Sequence, residues 1–354
     1  MHLRFIFSYC LIGLLTGMVF PACDLLAPED PPPTPPEFTV PQERLLALTA
    51  VYAETDSNGA PIQRIVLVDA DNPSSYTIIT KNNHASIQPR FAPDKQRLIF
   101  GDRTTGAVHA PQLVLCDIAA DTLIPLYLPD LLPDGRRVPL GAPTEHIVWN
   151  SAGTGFYFTN PQSSFSLRQD VLFYDLTRQE ITRIHDGNGY STYPIGLKGA
   201  DTLIVFSNEA PATGHPTGFY FMDVAGNYLA RIQNPHLELI NRNGINKKVA
   251  YHPRWSDDHQ LLVMAYHDST FVGYKIVVAN LDGSYYREYT SGEYIDDFPE
   301  WGPAGTVVFD RVSRGWDPWT AHQVMRLNLE TGAVYEFVDP AVIDGAVGLR
   351  FPAY

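Results

Sequence analysis

The sequence predicts an all-β fold: a six-bladed β-propeller of four-stranded antiparallel blades, with the ring closed by the C-terminal strand. Three observations predict it. A Pro-x-aromatic segment recurs ahead of a small turn and an apolar run. An Asp or Asn closes another apolar run at a nearly fixed distance beyond it. The two ends of the chain carry complementary parts of one further copy. Self-similarity at a fixed period marks a repeat architecture, in which each unit buries its apolar faces against its neighbours.

The first mark is clearest in QPRFAPDKQRLIFGDR (88–103), HPRWSDDHQLLVMAYHD (252–268) and FPEWGPAGTVVFDR (298–311). HIVWNSAGTGFYFTN (146–160) keeps the Trp and the turn, with Ile147 at the Pro position. YPIGLKGADTLIVFSN (193–208) keeps a proline, Pro194, and lacks the aromatic. The second mark is Asp69, Asp117, Asp175, Asp223, Asn280 and Asn328, each ending a run such as RIVLVD or VLFYD. From the Pro position to this mark the five complete copies span 28, 28, 29, 27 and 29 residues. Apolar and aromatic runs punctuated by turn residues read as β-strands, with no long amphipathic helix among them. Each copy therefore reads as four strands, a to d, which is one propeller blade.

The chain ends fix the number of blades. Before Asp69 there are strands b (Leu45 to Ala53) and c (Ile62 to Asp69), and after it strand d (Tyr76 to Thr80), with no strand a ahead of them. The last ten residues, GAVGLRFPAY (345–354), start a blade and stop; Leu349-Arg350-Phe351 is aligned here with Pro89-Arg90-Phe91. This spare strand completes the first blade and removes two exposed sheet edges. The propeller is assigned to residues 44–354.

The N-terminus has a different character. Phe5 to Phe20 is almost wholly apolar behind the single charge of Arg4, the length of a signal-peptide core and short for a membrane span. It leads to Pro21-Ala22-Cys23 and then to the proline-rich PEDPPPTPPEFTVP (28–41), a composition that favours an extended, semi-rigid tether. Residues 1–22 are read as a signal peptide and 23–43 as a tether. A small residue followed by Cys resembles the lipobox of bacterial lipoproteins, which implies acylation at Cys23 and a lipid anchor. With Cys10 removed and Cys23 acylated, Cys116 is the one thiol left in the body, so no internal disulfide is available.

The chain is acidic, with a net charge of −14 over 354 residues. That argues against nucleic acid as a partner, since neutralising phosphates needs a basic face.

The P-x-[WF]-[SAG]-[PD]-[DA] pattern of the repeats resembles the PD40 (WD40-like) repeats of the TolB-like six-bladed propeller family, over residues 44–354. The resemblance implies an extracytoplasmic setting in the bacterial cell envelope. It carries little information on activity, because folds host many functions.

Ser256, Asp258 and His259 have the residue types of a hydrolytic triad, but they fall in one turn, where Ala92-Pro93-Asp94 and Gly302-Pro303-Ala304 stand in other copies. They are read as turn formers. No G-x-S-x-G, H-E-x-x-H, phosphate-binding loop or paired C-x-x-C is present. No catalytic residue and no cofactor is assigned. The oligogalacturonate lyases, whose propeller is related, imply an alternative: a carbohydrate-active enzyme with a divalent metal in the central channel, for which His84, His146, His252 and His267 are the candidates. The six strand-ending Asp/Asn residues are read as turn caps.

Variation lies between blades. From one mark to the next Pro position the chain runs 20, 30, 19, 30, 19 and 21 residues. The two long connections, 128–146 and 233–252, carry Arg136, Arg137, Arg242, Lys247 and Lys248; the b-to-c connection of the last blade adds Trp316 and Trp319. Long loops on a rigid scaffold are where binding concentrates, and Arg and Trp are typical anchors. The leading expectation is a monomeric, membrane-anchored, non-enzymatic propeller that binds a protein, peptide or envelope polymer through this face.

Overall fold

In the computed structural model, residues 40–353 are described except 57–58, 60, 81–85, 103–111, 127–145, 162–168, 188–191, 208–216, 238–248, 268–272 and 314–321. The described residues form six four-stranded antiparallel sheets and no α-helix. Blade 2 is β4 (Ser86–Phe91), β5 (Arg97–Asp102), β6 (Gln112–Asp117) and β7 (Thr122–Leu126). Blade 3 is β8 (Val148–Trp149), β9 (Gly155–Pro161), β10 (Gln169–Asp175) and β11 (Glu180–His185). Blade 4 is β12 (Thr192–Lys198), β13 (Thr202–Ser207), β14 (Gly218–Asp223) and β15 (Tyr228–Arg231). Blade 5 is β16 (Val249–Ser256), β17 (Leu261–His267), β18 (Lys275–Ala279) and β19 (Tyr286–Glu288). Blade 6 is β20 (Ile295–Gly302), β21 (Thr306–Val312), β22 (His322–Asn328) and β23 (Val334–Val338).

Blade 1 joins the two ends of the chain. Its order is β24 (Ala346–Ala353), β1 (Leu45–Thr55), β2 (Pro61–Asp69) and β3 (Tyr76–Ile78), so the last strand supplies strand a and closes the ring. Strands a of neighbouring blades pack on one another, as β24 does on β4 and β20, and β16 on β12 and β20. They form the inner circle.

Each blade lies between two others, so its middle strands are buried on both faces. That is why strand b reads as a continuous apolar run: Leu262 to Ala265 are at most 1% exposed. Fully burying each Leu or Val contributes about 1.5–3 kcal/mol. Outer strands are wet, and Leu123 and Ile124 of β7 are 43% and 48% exposed. Cys116 is buried in β6, and burial pushes its thiol up to about 12, so it carries no thiolate at neutral pH.

The strand-ending Asp and Asn residues cap their turns in all six blades. Asp69 accepts from the amide of Asp71, Asp117 from Ala120, Asp175 from Thr177, Asp223 from Ala225 and Asn227, Asn280 from Tyr285, and Asn328 from Thr331. Ser256 likewise accepts from the amide of His259, as the turn reading expects.

Two alignments are corrected by register. Gly196 pairs with Ile204 as Arg254 pairs with Val263, so Ile195 takes the Pro position and Pro194 stands where His252 does. In the closing strand, a bulge separates Thr49↔Arg350 from Ala47↔Ala353, as another separates Ile87↔Gly101 from Arg90↔Ile99. Phe351-Pro352 is thus the equivalent of Gln88-Pro89, three residues along from the alignment made on sequence. The cause is backbone conformation: Gln88, His252, Phe298 and Phe351 all sit at the bulge with φ of 46° to 54°. Such a left-handed residue re-aims the strand at a bulge.

Candidate functional site

The bulge sets two successive tiers of side chains on the inner strands. The first holds the residues that precede the Pro position: Phe351, Gln88, His146, Pro194, His252 and Phe298 from blades 1 to 6. His252 lies inside β16, not in the loop before it. Its ring stacks on Phe298 with centroids 3.8 Å apart, and its Nδ1 donates to Asp297 Oδ1 at 2.7 Å. Asp297 Oδ1 also accepts the amide of Phe298 at 2.8 Å, and Phe298 meets Phe351 edge to face at 4.6 Å. Beside them Tyr251 stacks on Tyr274, whose hydroxyl is pushed up by burial and then by Tyr251 and Asp297. His146 stacks on Tyr193 at 4.1 Å.

The second tier follows the Pro position and is more polar. Arg90 Nη1 and Arg254 Nε both reach Glu300 Oε2, at 3.4 and 3.3 Å, from blades 2, 5 and 6. Arg90 Nη1 also donates to the carbonyls of Pro89 and, on the neighbouring blade 1, Pro352; Arg254 Nη1 donates to that of Pro253. The other Glu300 oxygen accepts the Trp301 amide. These side chains are only 9%, 8% and 13% exposed. The chemistry is that of a charged plug on the axis, held where desolvation is expensive and one carboxylate oxygen serves two guanidiniums.

Lys95 stands at one mouth of this tier. It lies in the a-to-b turn of blade 2 with a φ of 51°. Its ammonium nitrogen is buried, and burial lowers its pKa to about 8 against the opposing pull of Glu43 and Glu300. At the closing seam, Asp310 accepts from His322 Nδ1 at 2.8 Å and from Arg350 Nε of the closing strand at 3.4 Å.

Of the residues singled out in the sequence, Cys23, His84, Arg136, Arg137, Arg242, Lys247, Lys248, Trp316 and Trp319 lie outside the described residues. His267 ends β17, and its side chain is outside them too. His146 and His252 do occupy equivalent ring positions, in blades 3 and 5. His146 stacks on Tyr193 and His252 on Phe298, and the guanidiniums of Arg90 and Arg254 lie in the next tier. Among the described residues, no three His, Cys, Asp or Glu side chains gather as a metal site. Nor is any described helix long and apolar enough to cross a membrane.

Sequence reasoning passed over Arg90, Arg254 and Glu300. Their signal was present: they are the variable residue of QPRF, HPRW and FPEW. The connections that were singled out are flanked by β7 and β8, β15 and β16, and β21 and β22, whose facing ends lie at the end of the ring opposite Lys95.

No protein-family model matches the chain, and no curated protein does. Solved structures do. TolB from Acinetobacter baumannii matches with a TM-score of 0.62 at 13% identity, over 87% of this chain and 66% of that one, so the chain spans just under two thirds of that protein's length. A putative TolB from Agrobacterium tumefaciens matches with a TM-score of 0.54 at 14% identity, over 83% and 89%. The β-propeller domain of the Trilobed protease from Pyrococcus furiosus gives 0.51 at 8% identity, over 85% and 96%. At these identities the likeness is one of architecture. Six antiparallel four-stranded blades, closed by the C-terminal strand, give this chain the fold of the TolB-like six-bladed β-propellers.

Proposed function

We propose that this protein is an extracytoplasmic binding module of the bacterial cell envelope, tethered to a membrane through Cys23 and capturing a protein or peptide on one face of its propeller. The observation that carries the reading is the contrast between the blades and their connections. Inside the blades the repeat residues hold structure: the Asp/Asn marks cap turns, and the Ser256–His259 cluster closes one. Between the blades, two connections run 30 residues from mark to Pro position where, in the corrected register, the others run 19 to 24, and they concentrate basic side chains in an acidic chain. The signal-like N-terminus and proline-rich segment support export and tethering. An acidic or anionic partner surface is the complement of Arg136, Arg137, Lys247 and Lys248.

The test is native affinity capture from membranes. Reversing Arg136, Arg137, Lys247 and Lys248 to Glu is expected to abolish recovery of the partner, and unchanged recovery removes the reading. Cys23→Ala is expected to move the protein to the soluble fraction. Membrane association that survives the substitution means Cys23 is not the anchor.

A further inference from the structure

A second feature lies at the other end of the ring and owes nothing to those loops. The equivalents of Arg90, Arg254 and Glu300 in blades 1, 3 and 4 are Ala353, Val148 and Gly196, so the blade itself imposes no charge at this position. A buried charged triad is a poor source of stability, and apolar replacements of similar volume are often neutral or better. The arrangement therefore asks for another explanation.

Two guanidiniums from blades on different sides of the axis converge on one oxygen of one carboxylate. Each is fixed by the carbonyl of its own preceding proline, Pro89 or Pro253, so the cradle is built by the repeat and does not depend on Glu300 for its shape. Planar N–H forks converging on a carboxylate oxygen are the usual means of recognising carboxylate and phosphate. The Lys95 ammonium stands close enough to Glu300 to feel its charge, and residual exposure of 9%, 8% and 13% puts the triad within reach of solvent. Glu300 thus occupies the cradle as an internal carboxylate.

We propose that the axial end of the propeller bearing Lys95 is a binding site for a small oxyanion, taken up by Arg90 and Arg254 in place of the Glu300 carboxylate. The shared chemistry is a compact anion with two or more oxygens, supplied by a phosphate or by a small dicarboxylate.

The test is isothermal titration of the full chain with inorganic phosphate, and separately with succinate, each at constant ionic strength set by chloride. Saturable one-to-one binding is expected for whichever anion is the ligand class. Arg254→Met is expected to weaken it at least 10-fold, and Glu300→Gln to tighten it several-fold, because the internal competitor loses its charge. Circular dichroism confirms that each variant is folded; if Arg254→Met is not, Arg90→Gln takes its place, and the Glu300→Gln arm stands in either case. Absence of binding to both anions overturns the proposal. So does binding of equal strength in the wild type, Arg254→Met and Glu300→Gln, which is the behaviour of an adventitious ion only. Partner capture through the opposite loops is scored independently, so failure of one reading leaves the other intact.

Discussion

Lys95 shows how a single residue can work against the fold that holds it. Burial lowers its pKa from an ordinary 10.5 to about 8, so the folded state binds its proton more weakly than the unfolded chain does. Between about pH 8 and 10.5 the unfolded chain carries more proton, and stability contributed at this site rises with pH; below pH 8 the full penalty is present. Lys95→Met is therefore expected to stabilise the protein at pH 7 by about 1 kcal/mol, discounted for partial solvent screening, and to lose that advantage above pH 10.5. Chemical denaturation of both proteins at pH 7 and pH 10.5 checks it; an equal difference at the two pH values contradicts it. The contrast with the Asp/Asn marks is instructive. Their role was readable because each bonds to amides within a few residues, as Asp223 does to Ala225 and Asn227. Arg90 and Glu300 stand 210 positions apart, and only closure of the ring brings them together.

At the scale of the strand, the Pro-x-aromatic segment couples one blade to the next. Trp301 is 6% exposed, and its indole N–H donates at 3.2 Å to the carbonyl of Arg254 on blade 5; Trp149 does the same at 3.4 Å to Arg90 on blade 2. In blade 5 the equivalent Trp255 packs directly over Gly196, where an added Cβ would lie 2.5 Å from its own. This explains why blade 4 has no side chain at that place. Trp301→Phe keeps most of the packing but leaves the Arg254 carbonyl without its indole donor, at an expected cost of about 1–2 kcal/mol. Urea unfolding should show the midpoint fall with an unchanged slope; an unchanged midpoint would mean that the bond adds nothing. The strands were legible in the sequence because turns and apolar runs are local. The bulge was not: neither Gln88 nor Phe351 announces a left-handed backbone, which the neighbouring strands impose.

At the scale of the molecule, stability depends on a covalently unsupported seam. The closing strand β24 covers β1, whose residues Leu46 to Leu48 and Ala50 are fully buried, and Arg350 ties it to Asp310 of blade 6. Removing residues 345–354 should expose the edge of β1 and lower the melting temperature sharply or drive aggregation, as an unprotected apolar edge does. A truncated protein that stays monomeric with an unchanged melting temperature would count against closure as the source of stability. Blade number, strand order and the closing strand were all fixed by the amino-acid order, because a repeat writes its local rules six times and its incomplete copies name each other. The axial triad, the seam at Asp310 and the register of the inner strands came from folding alone. Their partners are far apart in the chain, and charges or rings meet on an axis that exists only once six sheets have been brought round it.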